Sequence, residues 1–288
     1  MIAIIISVVA YLVVGGLVGG VLSGIDRKIS ARMQGRVGPP LMQPFYDVFK
    51  LFEKENRVVN RIQDFYVLCF FLLVLAMGAF FFAGQSLLLV IFTLTLGEIF
   101  LIMAAYSSNS PYAQIGAERE LLSMMAYEPM MLIMAVGLYI HTRSFNVAEI
   151  LSYDHMSIYH CLGLFLGMSF ILTIKLRKAH FDLSMSHHAH QELVGGLKTE
   201  FSGSTLALME VAHWYENIIY LGCIFIFFGN GEASGYIIGA LVTLVVFFIE
   251  VLIGNSFARV KWEVLLKTTW VVTFVAGGIN LFALMLIH

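Results

Sequence analysis

The stretch that decides the fold is FYVLCFFLLVLAMGAFFF, residues 65–82, a run without a charged side chain. An α-helix needs about 20 apolar residues to cross the hydrocarbon core of a bilayer. The run therefore predicts a membrane-spanning helix, which we place at residues 62–83. A transmembrane β-barrel would instead show short segments of alternating hydrophobicity.

Comparable apolar runs recur along the chain, which has 288 residues, of which 59% are hydrophobic and 12% are charged. Charged residues make up about 25% of a typical soluble domain. We therefore predict an all-α integral membrane protein that forms a single membrane domain over residues 1–288. The eight predicted spans are residues 2–24, 62–83, 86–106, 118–141, 156–175, 204–229, 235–254 and 268–287. The first span is too long for a signal peptide, so we expect a retained helix.

Lys and Arg concentrate in three predicted loops, residues 25–61, 176–203 and 255–267. Loops with an excess of these residues lie on the cytoplasmic side of a membrane. With eight spans, the three loops share one side, and Arg143 is the basic residue expected on the other side. The pattern predicts a multi-pass protein of a prokaryotic cell membrane with both termini outside.

Several ionisable side chains fall inside the predicted spans, where each costs about 2.5–3.5 kcal/mol on insertion scales. Carboxylates outnumber basic residues there, and buried carboxylates of this kind are suited to taking up and releasing protons. The favoured interpretation is a hydrated proton path from the cytoplasmic side toward mid-membrane; the alternative is a set of ion pairs that holds helices together. The candidate path residues are Glu98, Glu118, Arg119, Glu120, Glu128, Glu210, His213 and Glu216.

The fourth predicted span carries the densest group of these residues, in AERELLSMMAYEP, residues 117–129. Arg119, Ser123 and Tyr127 are spaced by four residues and share one helix face, which Glu120 joins. Pro129 leaves the carbonyl of the residue four positions earlier free to hold a water. In the sixth span, His213 is either a proton relay or a hydrogen-bonded packing residue.

Two loops have specific compositions. Phe45, Val48, Phe49 and Phe52 recur at helical spacing after Pro44, which predicts an amphipathic helix on the membrane or under a partner. In the second of the three loops, residues 176–203, Asp182, Glu192 and Glu200 are candidate proton acceptors or contacts with a docked subunit. His187, His188 and His190 lie close together there, but a closed metal site generally needs about four donors in fixed geometry, so we expect no metal.

The three cysteines, Cys69, Cys161 and Cys223, lie singly in apolar runs without the spacing of an iron–sulfur or zinc site. The sequence also lacks the glycine-rich fingerprints of nucleotide sites. We therefore expect this chain to carry no cofactor or redox centre of its own.

Three ordered motifs resemble one family. GRVGPPLMQPFYDVFKLFEKE (residues 35–55), GAERELLSMMAYEP (116–129) and FDLSMSHHAHQELVGGLKTEFSG (181–203) are similar to motifs of the H subunit of respiratory complex I and its hydrogenase relatives. The resemblance places the family's Arg on Arg119 and its Glu on Glu128. It also implies a docking and coupling surface at Arg32, Arg36, Gly38, Pro39, Gln43, Asp47, Lys50, Asp182, Glu192 and Glu200.

Two departures from the quinone-reducing members point to a particular branch. The RVGP element occurs once, followed by Pro40, and the family's EAE acids are replaced by the histidine-containing SHHAH, residues 186–190. Both departures point to the membrane-bound [NiFe] hydrogenase branch, and the form HFDLSMSHHAHQE, residues 180–192, looks most like the energy-converting, Ech-type hydrogenases.

That resemblance implies a membrane subunit that couples ferredoxin-linked hydrogen formation or oxidation to H⁺ or Na⁺ translocation. The expected partners are the hydrogenase large and small subunits, which would hold the [NiFe] centre and [4Fe–4S] clusters, an antiporter-like membrane subunit, ferredoxin and the lipid membrane, but no nucleic acid. The alternatives are a quinone-chamber subunit of complex I and a stand-alone secondary transporter, for which inverted repeats would be expected.

Overall fold

The computed structural model describes residues 2–55, 60–178, 181–182, 184 and 195–287. Within these ranges the chain is helical, as predicted, and its sole strand-like pairing is an isolated bridge between Ser86 and Asn146. The helices are α1 Ile4–Met33, α2 Gln43–Glu53, α3 Arg61–Phe82, α4 Leu87–Tyr106, α5 Pro111–Thr142, α6 Val147–Leu151, α7 Leu162–Lys175, α8 Gly203–Phe228, α9 Ala233–Ser256 and α10 Trp262–Ile287.

Seven of these helices are long and apolar enough to cross a membrane: α1, α3, α4, α5, α8, α9 and α10. The protein is therefore an all-α, multi-pass membrane protein. Helices α4, α5 and α8 are the most buried and form the interior, whereas α1, α9 and α10 lie at the periphery.

The predicted span at residues 156–175 differs from the structure. Helix α7 covers 14 residues, Leu162–Lys175, and a short 3₁₀ turn, Ser157–Tyr159, precedes it. At 1.5 Å per residue α7 is about 21 Å long, less than the hydrocarbon thickness of about 30 Å. Residues 171–175 are all buried, so α7 ends inside the bundle rather than at a surface.

Helix α5 is longer than the predicted span, because it begins at Pro111 instead of residue 118. Proline is favoured in the first turn of a helix, where its missing N–H is not needed. The helix continues through Pro129 and ends at Thr142; the following residue, Arg143, has a φ of 60°, which gives a left-handed cap, and its N–H donates to the Tyr139 carbonyl. With 32 residues, α5 is longer than the roughly 20 residues needed to cross the hydrocarbon core.

The predicted amphipathic helix is present as α2. Its buried side chains, Pro44 and Val48, face the bundle, and Val48 packs in a small cluster with Ala207 and Trp214 of α8. Phe45 lies edge-on to Trp214, with ring centroids 5.1 Å apart. This packing fixes α2 against the charged-loop end of α8.

Glycine at position 116 lets the second loop, residues 176–203, approach α5 closely. A Cβ added at Gly116 would lie 2.3 Å from the Leu197 backbone nitrogen and 2.7 Å from the Gly196 carbonyl carbon. Both are backbone atoms, so neither can rotate away. Gly116 therefore holds the segment 195–200 against α5.

We expect Gly116→Ala to destabilise the protein by about 1–3 kcal/mol, the usual cost of overpacking. Gly97→Ala in α4 is the matched control, because its nearest contact would be an ordinary 3.5 Å. Thermal unfolding of the two variants in detergent checks this. A Gly116→Ala protein as stable as Gly97→Ala would contradict the close packing.

Candidate functional site

A buried ion pair lies where α7 ends. The Lys175 ammonium contacts the Glu98 carboxylate of α4, and the two side chains are 6% and 3% exposed. The Tyr220 hydroxyl donates to Glu98 Oε1 at 3.3 Å, and Lys175 Nζ lies 3.6 Å from the centroid of the Tyr127 ring. Two charges so deeply buried are tolerated only when additional groups satisfy them, and here two tyrosines contribute.

A second ion pair lies two residues further along the chain. Arg177 Nη2 is 3.1 Å from Glu120 Oε1 of α5, and Arg177 Nη1 lies 3.4 Å from the Ser184 hydroxyl. The backbone of Arg177 has a φ of 50°, a conformation that turns the chain sharply after α7. The turn brings Asp182 into the same buried region.

These groups surround a small space that we call the inner cavity. Its volume of about 20 Å³ is enough for roughly one water molecule. It is lined by Glu98, Glu120, Ser123, Tyr127, Ile174, Lys175, Arg177, Phe181, Asp182, Ser184 and Glu216. Four carboxyl groups and two basic groups therefore meet around a space the size of a single water.

A larger polar space, the outer cavity, adjoins the inner one and has a volume of about 250 Å³. Lys175 and Arg177 line both cavities. Two further ion pairs line the outer cavity: Lys178 with Asp26 of α1 at 2.8 Å, and Lys198 with Glu210 of α8 at 2.7 Å. The outer cavity thus lies between α1, α8, α9 and the C-terminal end of α7, beside the second loop.

One hydrogen bond bridges the two cavities. His213 lines the outer cavity and Glu216 lines the inner one. His213 Nδ1 lies 2.8 Å from Glu216 Oε2, one helical turn away on α8. An imidazole can accept a proton on one ring nitrogen and release one from the other, so this pair can pass a proton between the cavities.

The structure divides the predicted path residues into three groups. Those lining the inner cavity are Glu98, Glu120 and Glu216; those lining the outer cavity are Glu210 and His213; those outside both linings are Glu118, Arg119 and Glu128. Glu118 is exposed, and Arg119 and Glu128 are half-buried. The proton-path role of all eight residues stays a prediction.

The predicted docking residues also separate by position. Arg32, Arg36 and Lys50 are exposed, whereas Gly38, Pro39, Gln43, Asp47 and Glu200 are half-buried. Asp182, expected as either a proton acceptor or a subunit contact, is buried beside the inner cavity, and Arg259 Nη2 donates to its backbone oxygen at 2.6 Å. Glu192, His187, His188 and His190 lie outside the described residues.

Asp47 illustrates the electrostatics of the first loop. Its carboxylate accepts hydrogen bonds from Arg27 at 2.7 Å and from Gln43 at 2.9 Å. Partial burial raises the pKa of Asp47, but these hydrogen bonds outweigh burial and hold the pKa below its ordinary value. Asp47 is therefore ionised at neutral pH and ties α2 to α1.

The sequence analysis missed the basic half of this site. Lys175 is the last residue of the fifth predicted span, and Arg177 and Lys178 fall in the predicted loop 176–203, so none of the three is among the candidate site residues. A usable signal was the surplus of carboxylates in the spans, which requires basic partners from outside those spans. The basic residues nearest to a span end were the natural candidates.

A family model described as NADH dehydrogenase matches residues 5–285. The chain is 30% identical over 284 residues to NADH-ubiquinone oxidoreductase chain 1 of Pecten maximus, covering 85% of this chain and 77% of that protein. It is 27% identical over 270 residues to hydrogenase-4 component C of Escherichia coli (strain K12), covering 85% of this chain and 84% of that protein.

The fold is also similar to a solved chain from the membrane-bound sulfane sulfur reductase, an archaeal respiratory membrane complex. The TM-score is 0.83 at 22% identity, with 98% of this chain and 99% of that chain covered. The match of the family model over nearly the whole chain shows that the protein belongs to the NADH dehydrogenase family. The predicted relationship to the complex I H subunit and its hydrogenase relatives is therefore confirmed.

Removing one member of the buried pair should be costly. We expect Lys175→Met to destabilise the protein by about 3–5 kcal/mol, because Glu98 is left buried without its partner. Adding Glu98→Gln should restore much of that loss, since the uncompensated charge is gone. Thermal unfolding of the single and double variants measures both effects.

The control is Arg27→Gln, which breaks the Arg27–Asp47 pair, whose side chains are 44% and 43% exposed. Exposed pairs contribute at most about 1 kcal/mol. Equal losses for Lys175→Met and Arg27→Gln would show that the Lys175–Glu98 pair is not buried as described.

Proposed function

We propose that this chain is the membrane coupling subunit of an energy-converting, Ech-type [NiFe] hydrogenase complex. Family membership and the similarity to hydrogenase-4 component C support a place in an oxidoreductase complex. The SHHAH sequence at residues 186–190 favours the hydrogenase branch. In this proposal, partner subunits hold the [NiFe] centre and [4Fe–4S] clusters and exchange electrons with ferredoxin, while this chain links that reaction to H⁺ or Na⁺ movement.

The observation that carries the proposal is the row of titratable groups through the two cavities. It begins at the outer cavity with Glu210, crosses the His213–Glu216 hydrogen bond and reaches Glu98 and Glu120. Glu98 and Glu216 lie near the middle of α4 and α8, whereas Glu210 lies closer to the charged loops. The row therefore leads from the loop side toward mid-membrane, as a path that couples a peripheral reaction to ion movement requires.

The second loop, residues 176–203, connects this row to the proposed docking surface. Lys198, which pairs with Glu210, lies two residues before Glu200 of that surface. Arg177, which pairs with Glu120, lies at the start of the same loop. A displacement of the loop by a docked arm would pull on both ion pairs. Separating a buried ion pair favours neutralisation of the carboxylate by a proton, so loop movement would drive proton uptake.

The same proposal fixes the topology. Helix α7 supplies the eighth crossing together with the buried segment that follows Lys175, because irregular backbone is tolerated at membrane depth where it is surrounded by protein. The Lys- and Arg-rich loops then share the cytoplasmic side of a prokaryotic cell membrane, and both termini lie outside.

A second candidate is a quinone-linked subunit of a complex I-type enzyme, favoured by the 30% identity to NADH-ubiquinone oxidoreductase chain 1. The proteins that co-purify in mild detergent discriminate between the two. A nickel-containing large subunit and a cluster-bearing small subunit support the hydrogenase, whereas flavin-bearing partners and bound quinone support the alternative.

Glu216→Gln should uncouple the complex. Glutamine keeps the shape of the side chain but cannot carry a proton, so we expect ferredoxin-driven ion pumping in vesicles to fall to a small fraction of the parental level. Hydrogen formation from an artificial electron donor should be retained. Glu263→Gln, at an exposed carboxylate in α10, is the control and should pump normally.

Glu128→Gln belongs in the same series, because the resemblance assigns a coupling role to a residue that lies outside both cavities. Loss of pumping in Glu128→Gln extends the path beyond the inner cavity, and parental pumping removes Glu128 from it. Parental pumping in Glu216→Gln would overturn the proposed path.

Charge reversal at the docking surface should release the peripheral arm. Arg36 is exposed on the first loop, and Arg36→Glu would place a like charge against any carboxylate that Arg36 contacts in the arm. We expect the arm in the soluble fraction after a salt wash, while this chain stays in the membrane. Lys267→Glu, at an exposed position in α10, is the control, and equal retention of the arm by both variants would refute the assignment.

A further inference from the structure

A large apolar cleft, unused by the proposed proton path, lies between peripheral and interior helices. Its volume is about 690 Å³, and residues of α1, α3, α6, α8 and α9 line it. It extends from Gly84 and Ala148, at the end of the molecule opposite the charged loops, to Leu22 and Phe247. A cleft of this extent runs along most of the apolar part of these helices.

The cleft is accessible from the side of the bundle. Val18 and Leu244 line it and are 44% and 58% exposed. Both residues belong to helices of spanning length, so the medium around them is lipid hydrocarbon. A flexible hydrocarbon chain can enter the cleft from the bilayer without unfolding any helix.

The cleft ends at the polar outer cavity. Leu22, Leu221 and Phe247 line both spaces, so an occupant of the cleft that extends past Phe247 reaches charged side chains. The occupant must therefore have an apolar chain and a polar head. This continuity distinguishes the cleft from an ordinary gap between two helices.

The charges at the polar end favour an anionic head. The lining of the outer cavity contains two carboxylates, Asp26 and Glu210, and five basic residues, Arg27, Lys175, Arg177, Lys178 and Lys198. Each of the five is paired with a carboxylate, but the partners of Arg27, Lys175 and Arg177 lie outside this lining. Arg27 and Lys198 are partly exposed within their ion pairs, so each can share its remaining N–H groups with a phosphate. Basic pockets between transmembrane helices bind the head groups of anionic lipids.

We propose that the apolar cleft and the outer cavity together bind one anionic phospholipid. One acyl chain lies in the cleft, and the phosphodiester lies at the outer cavity near Arg27 and Lys198. This site is independent of the proposed hydrogenase role, because it depends only on the shape and charge of the two connected spaces.

The three tryptophans allow a direct test in the full-length chain. Trp262 and Trp270 are exposed on α10, whereas Trp214 is buried and lines the outer cavity. Replacing Trp262 and Trp270 by Phe leaves Trp214 as the reporter. The probe is phosphatidylglycerol with bromine atoms on the acyl chain near the glycerol, since bromine quenches tryptophan fluorescence only at close range.

We expect brominated phosphatidylglycerol to quench Trp214 at about fivefold lower concentration than brominated phosphatidylcholine. This ratio corresponds to the roughly 1 kcal/mol that one basic residue contributes toward anionic lipid. Arg27→Gln should remove the difference between the two lipids. Ala240→Phe and Thr243→Phe each place a bulky side chain of α9 in the cleft and should abolish quenching. Two separate variants keep the test valid if one of them misfolds.

Val245→Phe is the matched control, because Val245 is on the same helix, is exposed and does not line the cleft; it should be quenched like the parent. Absence of quenching in the parent, or unchanged quenching in both cleft-filling variants, would overturn the proposal. Equal quenching by the two lipids would refute the assignment of an anionic head group to the occupant. Displacement by decylubiquinone at lower concentration than by unbrominated phosphatidylglycerol would identify a quinone as the occupant instead.

Discussion

The rest of the structure depends on the buried contact between Lys175 and Glu98. An ammonium and a carboxylate this far from water are stable only as a pair, and removing either one leaves a strongly unfavourable charge. The ammonium also lies at the last residue of α7, where the negative end of the helix dipole stabilises it. Once the chain leaves helical structure at this depth, its polar backbone must be enclosed by protein. The two cavities lie within that enclosure.

Much of the architecture could be predicted from the sequence. Long apolar runs identify most of the spans, and carboxylates inside them identify three of the residues around the inner cavity, Glu98, Glu120 and Glu216. The short α7 could not be predicted, because hydropathy continues through residues 156–161 although the backbone there is not a regular helix. Hydropathy records how apolar a segment is, whereas the end of a buried helix depends on the tertiary partners of its last residues.

The pairing of the buried charges also could not be predicted from the sequence. The partner of Glu120 is Arg177, more than fifty residues away along the chain, at 3.1 Å. Glu120, Ser123 and Tyr127, which were expected to share a helix face with Arg119, line the inner cavity, whereas Arg119 does not. The resemblance to a known family likewise assigned a role to Glu128 without showing that it lies apart from the other carboxylates.

The hydrogen bond between His213 and Glu216 joins two residues on one turn of one rigid helix. In the proposed path, proton transfer between them would need no motion larger than that of their own side chains, whereas collective motions of helices take microseconds to milliseconds. The contacts of Arg177 with Glu120 and of Lys198 with Glu210, in contrast, join separate elements. In the proposed path, the slow step would therefore be the rearrangement of those elements, and transfer between His213 and Glu216 would be fast by comparison.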